Sequence, residues 1–219
     1  MTVLADQAIN LACGVLLLTA IGALWRRQVS ALIPILVVQG IAMTSIAVLL
    51  ASRHQDGGEA MVVAAVVGVL KIIVIPLFLL RVHRLVPDAR ETRPLANVAS
   101  SLLAAAGLCM LAYAAARPFA DAAVSPTASA APVGLALVLI GFFLAATRRR
   151  AISQIVALLL IDNGIAATAF LATEGVPLIV ELGVSADLVL LVLVLQVLSA
   201  RLVATFGPTD LDDLRELHD

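Results

Sequence analysis

Residues 151–172 read AISQIVALLLIDNGIAATAFLA and directly follow the triple arginine Arg148–Arg150. In a soluble chain the step Asp162-Asn163-Gly164 would be a turn, because these residue types tolerate left-handed backbone and bond their own main chain. Here the apolar residues on its two sides add up to about the ~20 residues that cross a ~30 Å hydrocarbon core as a helix. The stretch therefore reads as one membrane-spanning helix with a local weak point rather than a hairpin.

The whole chain has the same character. Of its 219 residues, 62% are hydrophobic and 13% charged, and the mean hydropathy is +1.10. A soluble domain carries about 25% charged residues, and its folded surface must still face water. A soluble enzyme domain is excluded, and so is a disordered chain, which needs the opposite composition. A net charge of -1 offers no basic face for nucleic acid.

Reading between charged or Pro/Gly-rich breaks gives seven apolar runs, at about 4–25, 30–52, 60–82, 95–116, 131–147, 151–172 and 177–200. Residues 117–131 (RPFADAAVSPTASAA) read as a loop. The tail 206–219 is acidic and amphipathic, a short solvated or interfacial helix starting at Thr209 or Asp210. The N-terminal MTVLADQAIN has no Lys or Arg to form the basic region of a cleaved signal peptide. Lys and Arg accumulate in cytoplasmic loops, and alternate connecting segments hold 11 of them against 2, with Lys71 left inside a span. The expected fold is an all-α integral membrane protein with seven transmembrane helices. Its N-terminus lies outside, its C-terminus in the cytoplasm, and its location is the cytoplasmic membrane.

The second and sixth runs resemble each other. Gln39-Gly40-Ile41-Ala42-x-Thr44 matches Asn163-Gly164-Ile165-Ala166-x-Thr168, and each copy follows a short run ending in arginines. Residues 1–85 and 131–205 thus read as two parallel three-helix repeats. Residues 86–130 join them through a fourth span rich in small residues, expected to be a tightly packed linker helix. Gly40 and Gly164 would let neighbouring helices approach closely.

Three ionisable residues fall deep in spans. Lys71 is ten residues before Arg81, roughly 15 Å below the boundary at 1.5 Å per residue. Asp162 is twelve residues after Arg150, roughly 18 Å deep by the same rise, and Asp187 also lies near the midplane. Each placement costs about 2.5–3.5 kcal/mol on insertion scales, so each side chain must face a partner or water. They could form a proton relay, or Lys71 and an aspartate could neutralise each other and hold the bundle together. Glu181, nearer the outer boundary, is either a mouth of such a path or an interfacial charge. Pro76 cannot bond the Ile72 carbonyl beside Lys71, so a kink is expected there that would offer Lys71 or a water a carbonyl.

No nucleophile–base pair, phosphate loop or redox-ligand set stands out, so the chain is expected to be no enzyme on its own. Cys13 and Cys109 read as free thiols in apolar runs, with no metal site.

The segment from Arg149 to Leu195, with LLLIDNGIAATAFL and LIVELGVSADLVLLVLVL, resembles the membrane protein known as hydrogenase-4 component E, from the group 4 membrane-bound [NiFe] hydrogenases. That component is in turn similar to the K-type membrane protein of NADH-quinone oxidoreductase (complex I) and to the C-type protein of multisubunit cation/proton antiporters. The resemblance implies that Asp162 and Asp187 are the acids of the middle and third helices of a proton path, and Lys71 the lysine of the first copy. In the K-type protein the middle-helix acid stands one turn earlier, at the position of Leu159 here, and is the longer Glu. The implied partners are antiporter-like and quinone-subunit-like membrane proteins and a peripheral arm with [NiFe] and iron–sulfur centres. None of those cofactors would bind this chain. Three functions stay open: part of a proton path, a scaffold without a conducting role, and a component of a cation/proton antiporter.

Overall fold

The computed structural model describes residues 2–26, 28–53, 57–85, 97–121, 127–148 and 151–173. Their helices are α1 (Thr2–Trp25), α2 (Val29–Ala51), α3 (Gly57–Val69), α4 (Ile75–Leu85), α5 (Val98–Asp121), α6 (Ala131–Thr147) and α7 (Ala151–Thr173). A π turn, Leu70–Val74, joins α3 to α4, and a 3-10 turn, Ala128–Ala130, leads into α6. Among the described residues, six helical stretches are long and apolar enough to cross a membrane: Val3–Trp25, Ser30–Ala51, Ala60–Arg81, Val98–Pro118, Ala128–Thr147 and Ser153–Ala172. The expected seventh run, 177–200, and the tail 206–219 lie outside the described residues.

The Asp162-Asn163-Gly164 step sits inside α7, which is helical from end to end. Once the apolar residues on both sides commit the backbone to intrahelical hydrogen bonds, opening a turn in lipid would strand polar groups without water.

Two expectations are corrected. The loop expected over 117–131 is shorter, because α5 continues through Pro118 to Asp121. Proline's fixed φ is itself helical, so near a helix end it removes one bond without ending the helix. The fourth span is also not packed on all sides. Its small residues form one seam, Ser101, Ala105, Ala112 and Ala116, which is buried, while Leu103 and Met110 on the other faces are each 75% exposed. The start of α5 is set by Asn97, whose Oδ1 accepts the N–H of Ser100 at 2.7 Å, an N-cap of the usual kind.

The helix ends are tied in two groups. At one end Arg53, after α2, pairs with Asp6 of α1 and donates to the Thr127 hydroxyl at 3.3 Å. At the other end Arg148, after α6, is buried and donates to the carbonyls of Leu24 (2.9 Å) and Arg26 (3.0 Å). A guanidinium there satisfies carbonyls that the last turn of α1 cannot bond internally and complements the negative end of its dipole.

Helices α6 and α7 are in the closest contact. A Cβ built on Gly164 would stand 2.7 Å from the Val138 nitrogen, and one on Gly141 would stand 2.6 Å from Ile161 Cγ1. Small residues that allow such backbone approach are the main packing device between helices in lipid, where apolar burial gives no advantage over contact with acyl chains.

Candidate functional site

Four polar side chains meet in the interior between α2, the π turn and α7. Lys71 Nζ donates to Asp162 Oδ2 at 2.8 Å and to Asn163 Oδ1 at 2.9 Å. Asn163 Nδ2 in turn donates to Gln39 Oε1 at 3.1 Å. Lys71 and Asp162 are 4% and 7% exposed. Gln39 is fully buried, and its Nε2 has no hydrogen-bond partner among the described residues.

Local backbone explains how Lys71 gets there. Pro76, which is buried, has no N–H to offer the preceding turn. The helix widens at that point, and the Ile75 N–H bonds the Leu70 carbonyl five residues back. The break expected beside Lys71 therefore takes the form of a π turn that contains Lys71. Such single turns re-aim one side chain inside an otherwise regular helix and recur at functional sites.

Gly40 brings the two backbones together. A Cβ there would lie 3.0 Å from the Lys71 carbonyl oxygen and 3.2 Å from Ile72 Cγ1. Gln39 and Gly40 thus divide the work: the amide reaches α7, and the missing side chain admits the π turn. Asn163 and Gly164 divide it in the same way, with the amide reaching α2 and the glycine admitting α6. The likeness extends along both segments. Ala42 and Ala166 are buried, and Ile41 and Ile165 exposed. Thr44 donates to the Gly40 carbonyl at 2.7 Å, and Thr168 to that of Gly164 at 2.8 Å.

The energetics of the cluster are dominated by charge. Two ionised groups at depth cost about 5–7 kcal/mol on insertion scales, whereas an interhelical hydrogen bond in a bilayer averages about 0.6 kcal/mol. Amide contacts alone do not offset that cost; direct pairing of opposite charges at contact distance does. Chemically, the arrangement offers a proton donor and acceptor in contact, Lys71 ammonium and Asp162 carboxylate. The Asn163 and Gln39 amides hold the donor in place without titrating themselves.

Of the residues singled out in the sequence, Lys71, Asp162, Asn163, Gly164, Gln39, Gly40 and Pro76 all contribute to this one place. Asp187 and Glu181 lie outside the described residues. Sequence reasoning missed the Asp6–Arg53 pair and the burial of Arg148: Arg53 and Arg148 count there only among the basic residues of connecting segments. Nothing local distinguishes Arg148 from the arginines that follow it. Among the described residues, no cluster of three or more His, Cys, Asp or Glu side chains is placed to hold a metal ion.

The chain is 44% identical over 212 residues to the uncharacterized protein Rv0085 of Mycobacterium tuberculosis, an alignment that covers 96% of each chain. No protein-family model matches the chain, and no solved structure matches it.

Proposed function

The chain belongs to the same family as the mycobacterial protein Rv0085, and we propose that it is a non-catalytic, multi-pass subunit through which protons pass in a larger membrane complex. The observation that carries this reading is the buried pair at 2.8 Å between Lys71, in the π turn, and Asp162, in α7, backed by two amides. A pair kept only to hold helices together is a poor solution. Well-packed apolar residues of similar volume often serve equally well or better by about 1–4 kcal/mol. A donor and acceptor in contact at the depth of the bilayer are what a proton relay requires.

The proposal takes the complex to be hydrogenase-4-like and related to NADH-quinone oxidoreductase, on the strength of the sequence resemblance. Electron transfer in its peripheral arm would drive protons through Asp162, Lys71, Asp187 and Glu181, with no cofactor held by this chain. Seven crossings would put the end carrying Arg26 and Arg148 in the cytoplasm and the end carrying Asp6 and Arg53 outside, as the loop arginines suggest. The repeats 1–85 and 131–205 would then run parallel, with Gln39 and Asn163 facing each other between them.

A scaffold role rests on the same pair, since it joins α2, the π turn and α7. Two variants separate the readings in cells that assemble the complex. Asp162→Asn removes the carboxylate that pairs with Lys71, and breaking such a buried pair costs about 3–5 kcal/mol, so both assembly and translocation should fall. The double variant Lys71→Met with Asp162→Leu removes both charges and should assemble, yet fail to acidify inverted membrane vesicles. Normal acidification by the assembled double variant would make the pair structural and end the relay reading.

A further inference from the structure

Between α1 and α2, near the end of α1, lies a groove of about 500 Å³. Its walls are Leu18 and Gly22 of α1 and Pro34 and Ile35 of α2, and its mouth is formed by Trp25 and Arg26. The space beside Gly22 is open: a Cβ there would find only Ile35 Cδ1, at 3.9 Å. Its one wall hydroxyl, that of Thr19, donates back to the carbonyls of Val15 and Leu16, both at 2.8 Å. The walls therefore present an apolar surface, and the volume is in the ~300–1,000 Å³ range of ligand sites.

The mouth has a different chemistry. Trp25 is 66% exposed at the end of α1, the level at which an amphipathic ring anchors to the bilayer interface. Arg26 is exposed, and its backbone carbonyl is held by the buried Arg148. Neither of the two ion pairs among the described residues includes Arg26. A positive mouth above an apolar slot, opening outward from a membrane-spanning bundle, is complementary to one class of molecule.

We infer that this groove binds an anionic phospholipid, with one acyl chain between Gly22 and Ile35 and the headgroup phosphate on Arg26. The guanidinium matches phosphate bidentately, and a headgroup with no cation of its own leaves that charge uncompensated by anything but the protein. A zwitterionic lipid would offer the same chain and phosphate but bring its own ammonium to a positive mouth.

The test uses the full chain in detergent, with phosphatidylglycerol and phosphatidylcholine of identical acyl chains, and native mass spectrometry to count retained lipid. Phosphatidylglycerol should be retained about fivefold over phosphatidylcholine, the preference one basic residue confers near a membrane surface. Arg26→Gln should erase that preference while leaving the thermal unfolding midpoint unchanged. Gly22→Leu, which fills the slot, should lower retention of both lipids. Equal retention of the two lipids by the unaltered chain, or no response to either variant, overturns the inference. So does a photoreactive group at Leu18 that cross-links to a second polypeptide instead of to lipid, because the groove would then be an interface between proteins.

Discussion

Gly40 is where the backbone of α2 meets the Lys71 carbonyl, and its lack of a side chain lets Gln39 and Lys71 reach Asn163 from two directions. A methyl group there must displace main chain, not the tip of a flexible side chain. Gly40→Ala should therefore destabilise the chain by about 1–3 kcal/mol, as overpacking does. Gly14→Ala meets nothing within 4 Å and should stabilise by about 0.5–1 kcal/mol through the better helix former. Unfolding midpoints in detergent read both, and equal effects would mean that the close approach at Gly40 is not tight. At this scale Lys71 and Asp162 were legible in the sequence, since an ionised group deep in a span is costly wherever it sits. Gln39 was legible only through its match to Asn163. The burial of Arg148 was not legible, because a guanidinium at a helix end looks the same in sequence whether it faces water or a neighbouring carbonyl.

At the scale of elements, α6 and α7 depend on glycine and α5 does not. The seam through Gly134, Gly141 and Gly164 leaves no room for a larger residue on either backbone. Gly134→Leu should lower the unfolding midpoint in detergent, a loss of at least about 1–3 kcal/mol from overpacking against main chain. Leu103→Ala on the outer face of α5 should shift stability by no more than about 0.5 kcal/mol, as surface substitutions do. Comparable losses from both would show that α5 is packed on its outer face. Helix positions were readable from run length, including α7 across its Asp-Asn-Gly step. The ends of α5 were read wrongly because Pro118 suggests a stop that its helical φ does not enforce. The π turn had a partial signal in Pro76, but proline alone does not say whether a helix kinks or widens.

At the scale of the whole molecule, the contacts group helix ends without reference to any membrane: Asp6, Arg53 and Thr127 at one, Leu24, Arg26 and Arg148 at the other. The arginine distribution in the loops predicts which end faces the cytoplasm. In a chain carrying Cys13→Ala and Cys109→Ala, Ser52→Cys should react with an impermeant maleimide in intact cells. Trp25→Cys should react only after permeabilisation, and the reverse pattern would invert the proposed orientation. The sequence by itself determined that the described residues are helical, that six of their helical stretches are long and apolar enough for a bilayer, and which charges are expensive there. Those conclusions need only residue counts set against bilayer thickness and transfer free energies. That Lys71 pairs with Asp162, 91 positions away, and that Gln39 closes the cluster through Asn163, was decided by the tertiary structure alone. Such partners meet when helix faces pack and a π turn rotates one side chain toward another, and local pattern does not encode which faces meet.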